Sequence, residues 1–274
     1  MSKWKIIFAS LALIGTIATA SEKSEIWQQA AQKRNLAAAT YERQAKYQEE
    51  LIQVIGPADN LDSLIVDGET FRKLSDCYDK AADFEEKAFR EYWLAIENLG
   101  KSATEEESKL EKEKINEQTK LFKNIAYAVS LRASNFRKSE AEILTLLSNF
   151  QLETTGNLEG LINPTEQERL KSINAMASNI NQAALYAENA FKSYLAAADN
   201  LAKIPANAEI GKKEQLINTD MLRERARNIV KESEKLYGSA ALYFESTGNL
   251  TKKVEAERKR AWCLEQLAGL PTKK

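Results

Sequence analysis

Apolar side chains recur every three or four residues along most of this 274-residue chain, which is the spacing of one face of an α-helix. Glycines and prolines cluster in a few short stretches. The segments between them are long and rich in Ala, Glu, Lys, Leu and Gln, which are strong helix formers. The pattern therefore predicts an all-α protein with essentially no strand.

Three helical segments precede Gly156. The first covers about 24–55, and the second covers about 68–99 and ends at Gly100, which we expect to cap it. The third opens with two overlapping Ser/Thr-x-x-Glu capping boxes within 102–107 and then meets no glycine or proline until Gly156. The pattern leaves open whether this third segment is one helix or two.

The first two segments each carry a stripe that we expect to be buried. On the first segment the stripe consists of Trp27, Ala30, Ala37, Tyr41, Ala45, Gln48, Ile52 and Ile55. On the second it consists of Phe71, Leu74, Tyr78, Ala81, Ala88, Tyr92, Ala95 and Leu99, interrupted only by Glu85.

The second half of the chain predicts three further helices. Asn163 at the N-cap and Pro164 at the first helical position open the fourth segment, which reaches about residue 204. The fifth covers about 209–247 and the sixth about 250–268.

Paired in order, these segments predict three antiparallel helical hairpins, at about 22–100, 101–204 and 205–268. One face of each hairpin has to be covered by its neighbours. We therefore expect a single all-α domain over 21–274, a bundle or short helical-repeat stack with coiled-coil-like packing.

The chain also contains an internal duplication. Residues 81–99 align without a gap on residues 183–201, with nine identities in nineteen positions. We expect the two helices that contain these residues to be equivalent, with their shared alanines facing a neighbouring helix. The matched pairs that matter most are Ala88/Ala190, Ala95/Ala197, Phe89/Phe191 and Tyr92/Tyr194.

The motif Ala-x3-Tyr-x2-Ala, at 88–95 and 190–197, resembles the second helix of a tetratricopeptide repeat, and 248–250 resembles the turn between its helices. This resemblance implies a stack of helix pairs that presents a groove to a peptide or protein. The predicted helices exceed the length expected in a 34-residue repeat. Close packing of Ala-rich helices gives the same spacing, so a bundle of long hairpins is the alternative.

The first twenty residues have the layout of a secretory signal peptide. A basic start precedes an apolar run over 6–18 and an Ala-x-Ala end at 18–20, which predicts cleavage before Ser21. The alternative is an uncleaved membrane anchor, although 4–20 only reaches the lower length limit for a span of about 30 Å. We expect an exported protein, and the periplasm and the extracellular space remain open alternatives.

Composition and charge exclude several function classes. The formal net charge is −1, whereas a general nucleic-acid binder carries a marked basic excess. After the leader, no apolar run approaches the length of a transmembrane helix. We therefore expect neither a nucleic-acid partner nor a stable membrane span in the mature chain.

The chain has no histidine, which removes the commonest general base and the commonest zinc ligand. Ser-His-Asp and Cys-His mechanisms are therefore excluded. Cys77 and Cys263 are the only cysteines, too few for a cysteine-built metal cluster, and the sequence leaves open whether they form a disulfide. We assign no catalytic, cofactor-binding or metal-binding residue and no cofactor, and we expect no enzymatic activity.

Two acidic clusters are candidate cation sites. The first is strung along one helical face, which favours a solvated surface, and consists of Asp76, Asp79, Asp83 and Glu86. The second flanks a predicted loop but lacks EF-hand spacing, and consists of Asp59, Asp62, Asp67 and Glu69.

Two further charged stretches remain. The segment 105–120 is almost entirely charged and predicts a solvated helix that is available for docking. The basic residues within 252–260 are diluted by glutamates and also predict a solvated face. Together with the loops 56–67 and 156–163, the first stretch is our predicted interaction surface for an exported adaptor or scaffold. A membrane-acting helical toxin is an alternative of a different class.

Overall fold

The computed structural model describes residues 22–56, 68–156, 165–205, 208 and 212–270. Six α-helices account for nearly all of these residues, and no strand occurs among them, so the all-α prediction is confirmed. In chain order the helices are α1 (Glu22–Ile55), α2 (Gly68–Glu105), α3 (Lys109–Gly156), α4 (Glu166–Ala202), α5 (Lys212–Ser246) and α6 (Leu250–Gly269).

The boundary between α2 and α3 differs from the prediction. Gly100 does not end α2, which continues to Glu105, and the third segment is one helix of 48 residues. Thr104 donates its hydroxyl to the Gly100 carbonyl at 3.0 Å, as a residue inside a helix does. Ser108 caps α3 instead, because its hydroxyl accepts a bond from the Glu111 amide at 3.5 Å.

The start of α4 also differs from the prediction, because the cap is Thr165. Its hydroxyl accepts from the Glu168 amide at 3.3 Å, and the Glu168 carboxylate accepts from the Thr165 amide at 2.8 Å. This reciprocal pair is a capping box. The predicted cap Asn163 lies outside the described residues.

The backbone contacts divide the chain into two compact units. The described residues of the smaller unit are 22–40 and 88–126, and those of the larger unit are 41–87 and 127–270. The single-domain organisation stays a prediction.

Small residues follow at seven-residue intervals on α1 and α2. All are at most 1% exposed, namely Ser24, Ala31, Ala38 and Ala45 on α1 and Ala81, Ala88, Ala95 and Ser102 on α2. In the smaller unit, the hydroxyls of Ser24 and Ser102 are hydrogen-bonded at 2.8 Å. Further along, Arg34 of α1 pairs with Glu91 of α2 at 3.0 Å, so within this unit the two helices pack antiparallel, and the small side chains let the backbones approach closely.

In the larger unit, α3 and α4 are also joined by serine hydroxyls and small buried side chains. The hydroxyls of Ser134 and Ser148 on α3 donate to the carbonyls of Ala197 and Ala183 on α4, at 2.8 and 3.0 Å. Ala190 lies midway between those two alanines and is fully buried. The prediction that Ala190 and Ala197 face a neighbouring helix is confirmed.

The third hairpin continues the pattern. On α5, Ser233 donates its hydroxyl to the Ala184 carbonyl of α4 at 2.9 Å, and its oxygen lies 3.6 Å from the Cys263 sulfur of α6. Ala240 and Ala256 are fully buried on α5 and α6. The core of the larger unit therefore consists of helices held close by small side chains, with larger ones such as Leu74, Ile143, Phe191 and Val230 filling the remaining space.

Candidate functional site

Arg137 of α3 lies within the larger unit and contacts four carboxylates. Its guanidinium donates to Asp79, to Asp83 at 2.5 Å and to Glu86 at 3.1 Å, all on α2, and to Glu140 of its own helix at 3.1 Å. The Arg137 side chain is only 12% exposed. A planar guanidinium offers five donors in a fixed fork, which suits contacts with several carboxylates at once.

The helix periodicity explains this convergence. The three α2 carboxylates are spaced by four and then three residues, so they share one face of the helix. The solvated-face interpretation of these residues is wrong in part, because Arg137 covers that face. Asp79 and Asp83 nevertheless keep about half of their side-chain surface exposed, at 50% and 49%.

The two least exposed carboxylates have opposite pKa shifts. Burial, assisted by the charge of Asp79, raises the pKa of Glu140 to about 7 against the opposing effect of Arg137. Burial also acts to raise the pKa of Glu86, but hydrogen bonds from Arg137 and from Asn200 outweigh it and hold that pKa below its ordinary value. Near pH 7 the cluster therefore gains or loses a proton at Glu140.

A second arginine on the same helix pairs with two buried carboxylates. Arg132 donates to Glu85 of α2 at 2.8 and 3.0 Å and to Glu42 of α1 at 2.6 Å. Burial raises the pKa of Glu85 to about 7, partly opposed by Arg132. Glu85 thus interrupts the apolar stripe of α2 because it pairs with Arg132.

An open cleft of about 510 Å³ lies beside the Arg137 cluster. Its charged lining comes from α2, α3 and α4, and its apolar lining includes Leu144 and Leu147 of α3. The charged and aromatic lining residues are Arg72, Asp76, Asp79, Arg137, Glu140, Tyr186 and Lys192.

The α4 side of the cleft is anchored by its own contacts. Tyr186 accepts a hydrogen bond from Arg72 at 3.0 Å. Lys192 pairs with Glu188 at 2.6 Å and lies 5.2 Å from the centre of the Trp262 ring. Glu188 also accepts from Tyr237 at 2.7 Å, so this side of the cleft connects to α5 and α6.

Counted with their direct partners, the charges of the cleft are mostly negative. Six carboxylates stand against the three cations Arg72, Arg137 and Lys192. The carboxylates are Asp76, Asp79, Asp83, Glu86, Glu140 and Glu188. The site therefore favours a cationic group over an anionic one.

Sequence reasoning found the acidic face but not the two arginines or Glu140. Arg137 and Arg132 lie in a long helix among many other charged residues. Only the register between α2 and α3 places them opposite Glu86 and Glu85. The sequence signal for them was two arginines five residues apart in the third predicted helical segment.

The other acidic candidate contributes no site. Glu69 pairs with Lys73 at 2.7 Å on the exposed side of α2, and Asp59, Asp62 and Asp67 lie outside the described residues. Within the described part of the chain, no group of three or more potential ligands is arranged to hold a metal ion.

The two cysteines are separate buried thiols. Cys77 lies on α2 and Cys263 on α6, and they are not bonded to each other. Burial raises the pKa of both thiols.

The charged stretch 105–120 is not wholly solvated. Glu106, Glu111 and Ile115 are buried, while Leu110 is exposed. The loops 56–67 and 156–163 lie almost entirely outside the described residues, so their predicted role stays a prediction.

Several basic residues of the stretch 252–260 contact other residues of the larger unit. Lys253 pairs with Glu245 and Arg260 with Glu234, both at 2.6 Å. Lys259 lies over the ring of Tyr237. The predicted solvated face is therefore partly paired with acidic and aromatic side chains.

Comparisons with known proteins do not assign the chain to a family. No family model and no curated protein matches the chain. A solved structure described as "Computational Design of Self-Assembling Cyclic Protein Homooligomers" aligns over 98% of this chain and 99% of its own, at 12% identity and a TM-score of 0.17, which is too low to support any inference. Among the described helices, none has the combination of length and apolarity needed to cross a membrane.

Proposed function

We propose that this protein is an exported helical interaction module that binds a basic segment of a partner protein in the cleft beside Arg137. The observation that supports this most directly is the arrangement of four carboxylates around one guanidinium. Asp79, which lines the cleft, and Asp83, which shares its guanidinium partner, each keep about half of their side-chain surface exposed.

A partner's arginine or lysine suits this environment for two reasons. The carboxylates outnumber the cations, so an added positive charge is attracted. Asp76 lies on the exposed side of α2 at the cleft, one turn before Asp79, and adds acidic surface that Arg137 does not contact.

The apolar lining gives the cleft a second recognition element. Leu144 and Leu147 provide a hydrophobic surface next to the charged one. The aliphatic stem of a long basic side chain, or an apolar neighbour in the partner sequence, packs on such a surface while the cationic end meets the carboxylates. A short segment that alternates basic and apolar residues is the ligand class that fits both.

We assign binding and not catalysis to this cleft. The chain contains no histidine, and the ionisable groups at the cleft are bonded mainly to one another. Such pairing fixes a charged surface, which is typical of recognition. The groove between helix pairs is also what the tetratricopeptide resemblance implies, and export is the role that the leader predicts.

Peptide binding by calorimetry tests this function. The probe is a short acetylated peptide with arginine between leucines, and its matched control replaces arginine with citrulline, which keeps the shape and removes the charge. We expect the arginine peptide to bind at least tenfold more tightly, which corresponds to about 1.4 kcal/mol.

Two variants locate the binding. Asp76→Asn removes one exposed charge at the cleft and should weaken the arginine peptide several-fold, whereas Glu153→Gln, on the exposed surface of α3, should leave it unchanged. Equal binding of the citrulline peptide, or equal loss in both variants, would refute the proposed cleft.

A further inference from the structure

Glu140 and Asp79 share one nitrogen of the Arg137 guanidinium. Both carboxylates accept from Nη1, whereas Asp83 accepts from Nη2 and Glu86 from Nε. Two carboxylates on the same nitrogen repel each other, and the guanidinium carries a single positive charge for all four. Uptake of one proton by the shared pair relieves part of this repulsion.

The proton is held by Glu140 because the two carboxylates differ in burial. The Glu140 side chain is 9% exposed, whereas that of Asp79 is 50% exposed. Water stabilises the charged form of an exposed carboxylate, and burial disfavours it. The pKa of Glu140, which burial raises to about 7, agrees with this assignment.

Glu140 also lines the cleft, so a bound ligand lies close to it. Arg72 donates to Tyr186 and Lys192 pairs with Glu188, so Arg137 is the main cation that balances Glu140. Ser193 of α4 is a further hydrogen-bond partner of Glu140. The charged and titratable groups around it are Arg72, Asp76, Asp79, Asp83 and Glu86 of α2, Arg137 of α3, and Tyr186, Glu188 and Lys192 of α4.

We propose that a basic segment entering this cleft displaces one proton from Glu140 to the solvent, so that the cleft binds its partner near pH 8 and releases it in mildly acidic surroundings. A partner's arginine keeps its positive charge throughout this range, so the change occurs in the cleft. Protonation of Glu140 removes one negative charge from the cleft and weakens its attraction for a cation. This inference rests on the proposed function, because it concerns the regulation of peptide binding in the same cleft.

The affinity should therefore rise with pH. The positive charge of a bound arginine favours the charged form of Glu140, so the pKa of Glu140 is lower in the complex than in the free protein. Between these two pKa values, binding releases a proton. If the pKa in the complex is lower by about one, the affinity is roughly sevenfold higher at pH 8 than at pH 5.5.

Calorimetry with the acetylated arginine peptide tests this coupling. Titrations between pH 5.5 and 8.5, each in two buffers with different heats of ionisation, give the affinity and the number of protons released. We expect release of about half a proton at pH 6.5 and almost none at pH 8.5, because Glu140 is then already charged in the free protein.

Two isosteric variants connect the proton to Glu140. Glu140→Gln mimics the protonated form, so it should bind the peptide with the low-pH affinity of the parent at every pH and release no proton. Glu85→Gln is the matched control, because the pKa of Glu85 is also raised to about 7 but Glu85 pairs with Arg132. It should keep the full pH dependence of binding.

A third variant keeps the test decisive if Glu140→Gln does not fold. Asp79→Asn removes the like charge beside Glu140, and the charge of Asp79 acts to raise the pKa of Glu140. Proton release should therefore move to lower pH in this variant, in addition to any loss of affinity.

The outcomes separate this inference from the function on which it rests. Peptide binding with the same affinity at pH 5.5 and 8, or proton release that persists in Glu140→Gln, overturns the coupling and leaves peptide binding in the cleft intact. Absence of peptide binding at every pH overturns both.

Discussion

Tyr237 of α5 donates its hydroxyl to the Glu188 carboxylate of α4 at 2.7 Å, and both side chains are buried. Burial and the neighbouring Glu188 raise the pKa of Tyr237, so the phenol stays a donor at physiological pH. The same carboxylate accepts from Lys192 at the cleft. This pair therefore connects the packing of α5 with the α4 side of the cleft.

Tyr237→Phe should lower the free energy of unfolding by about 1.5–3 kcal/mol, because the lost hydrogen bond involves a charged acceptor that stays buried. Urea unfolding followed by circular dichroism measures the change. Tyr243→Phe, on the same helix and half-buried, is the control and should cost well under 1 kcal/mol. Equal effects of the two changes would mean that the Glu188 contact contributes little.

Ala190→Leu should destabilise the larger unit by about 1–3 kcal/mol, because Ala190 is fully buried on α4 between two serine contacts with α3. Ala261→Leu, on the exposed side of α6, adds the same atoms without overpacking and should be nearly neutral. Thermal melts compare the two variants with the parent. A parent-like Tm for Ala190→Leu would contradict the close packing of α3 and α4.

The buried faces of the first two helices could be predicted from the sequence to different degrees. The stripe on α2 was predicted correctly, because Phe71, Leu74 and Tyr78 are large and mark the buried face clearly. On α1, Ala45 and Ile52 are buried as predicted, but in the first half of the helix the buried residues are Ala31 and Ala38, one position after the predicted Ala30 and Ala37. Alanines occur on both sides of that face, so hydrophobicity alone did not distinguish them.

The Arg137 cluster was less predictable than the helices because its partners come from two different helices. The spacing of Asp79, Asp83 and Glu86 places them on one face from sequence alone. Which residue lies opposite depends on the register between α2 and α3, which is set by packing along both helices. Neither Arg137 nor Glu140 differs in local sequence from a surface residue, so the sequence could not identify them.

Arg137→Met should lower the free energy of unfolding by about 3–5 kcal/mol, because it leaves four clustered carboxylates without their cation. Part of the loss should be recovered at pH 4, where protonation relieves the repulsion. The control is Arg227→Met on α5. The Arg227 guanidinium donates to the Leu270 carbonyl, so this change should lower the free energy of unfolding by a smaller amount. A pH-independent effect of Arg137→Met would argue against carboxylate repulsion.

Glu140→Gln should make stability less dependent on pH. The pKa of Glu140 is raised to about 7 in the folded protein, above its ordinary value of 4.5, so between these pH values the folded state holds a proton that the unfolded state has lost. This group therefore favours folding at low pH, and its contribution declines as pH rises from about 4.5 to 7. We expect the variant to flatten that decline by about 2 kcal/mol.

Unfolding at a series of pH values measures this effect. Glu153→Gln, on the exposed surface of α3, should leave the pH profile unchanged. Glu85, whose pKa is also raised to about 7, should contribute a second decline of the same sign in the parent and in the Glu140→Gln variant. A profile that rises between pH 4.5 and 7 in the parent would contradict both assignments.

Cys77 and Cys263 should react with a thiol reagent only after unfolding. Both thiols are buried, and burial raises the pKa of each, so the reactive thiolate is scarce and shielded in the folded state. At pH 8 without reductant, we expect almost no reaction in buffer and two equivalents in denaturant. Cys263→Ala should leave one equivalent in denaturant. Failure of the parent to react in denaturant would show that the two cysteines form a disulfide, and rapid reaction in buffer would show that at least one thiol is accessible in the folded chain.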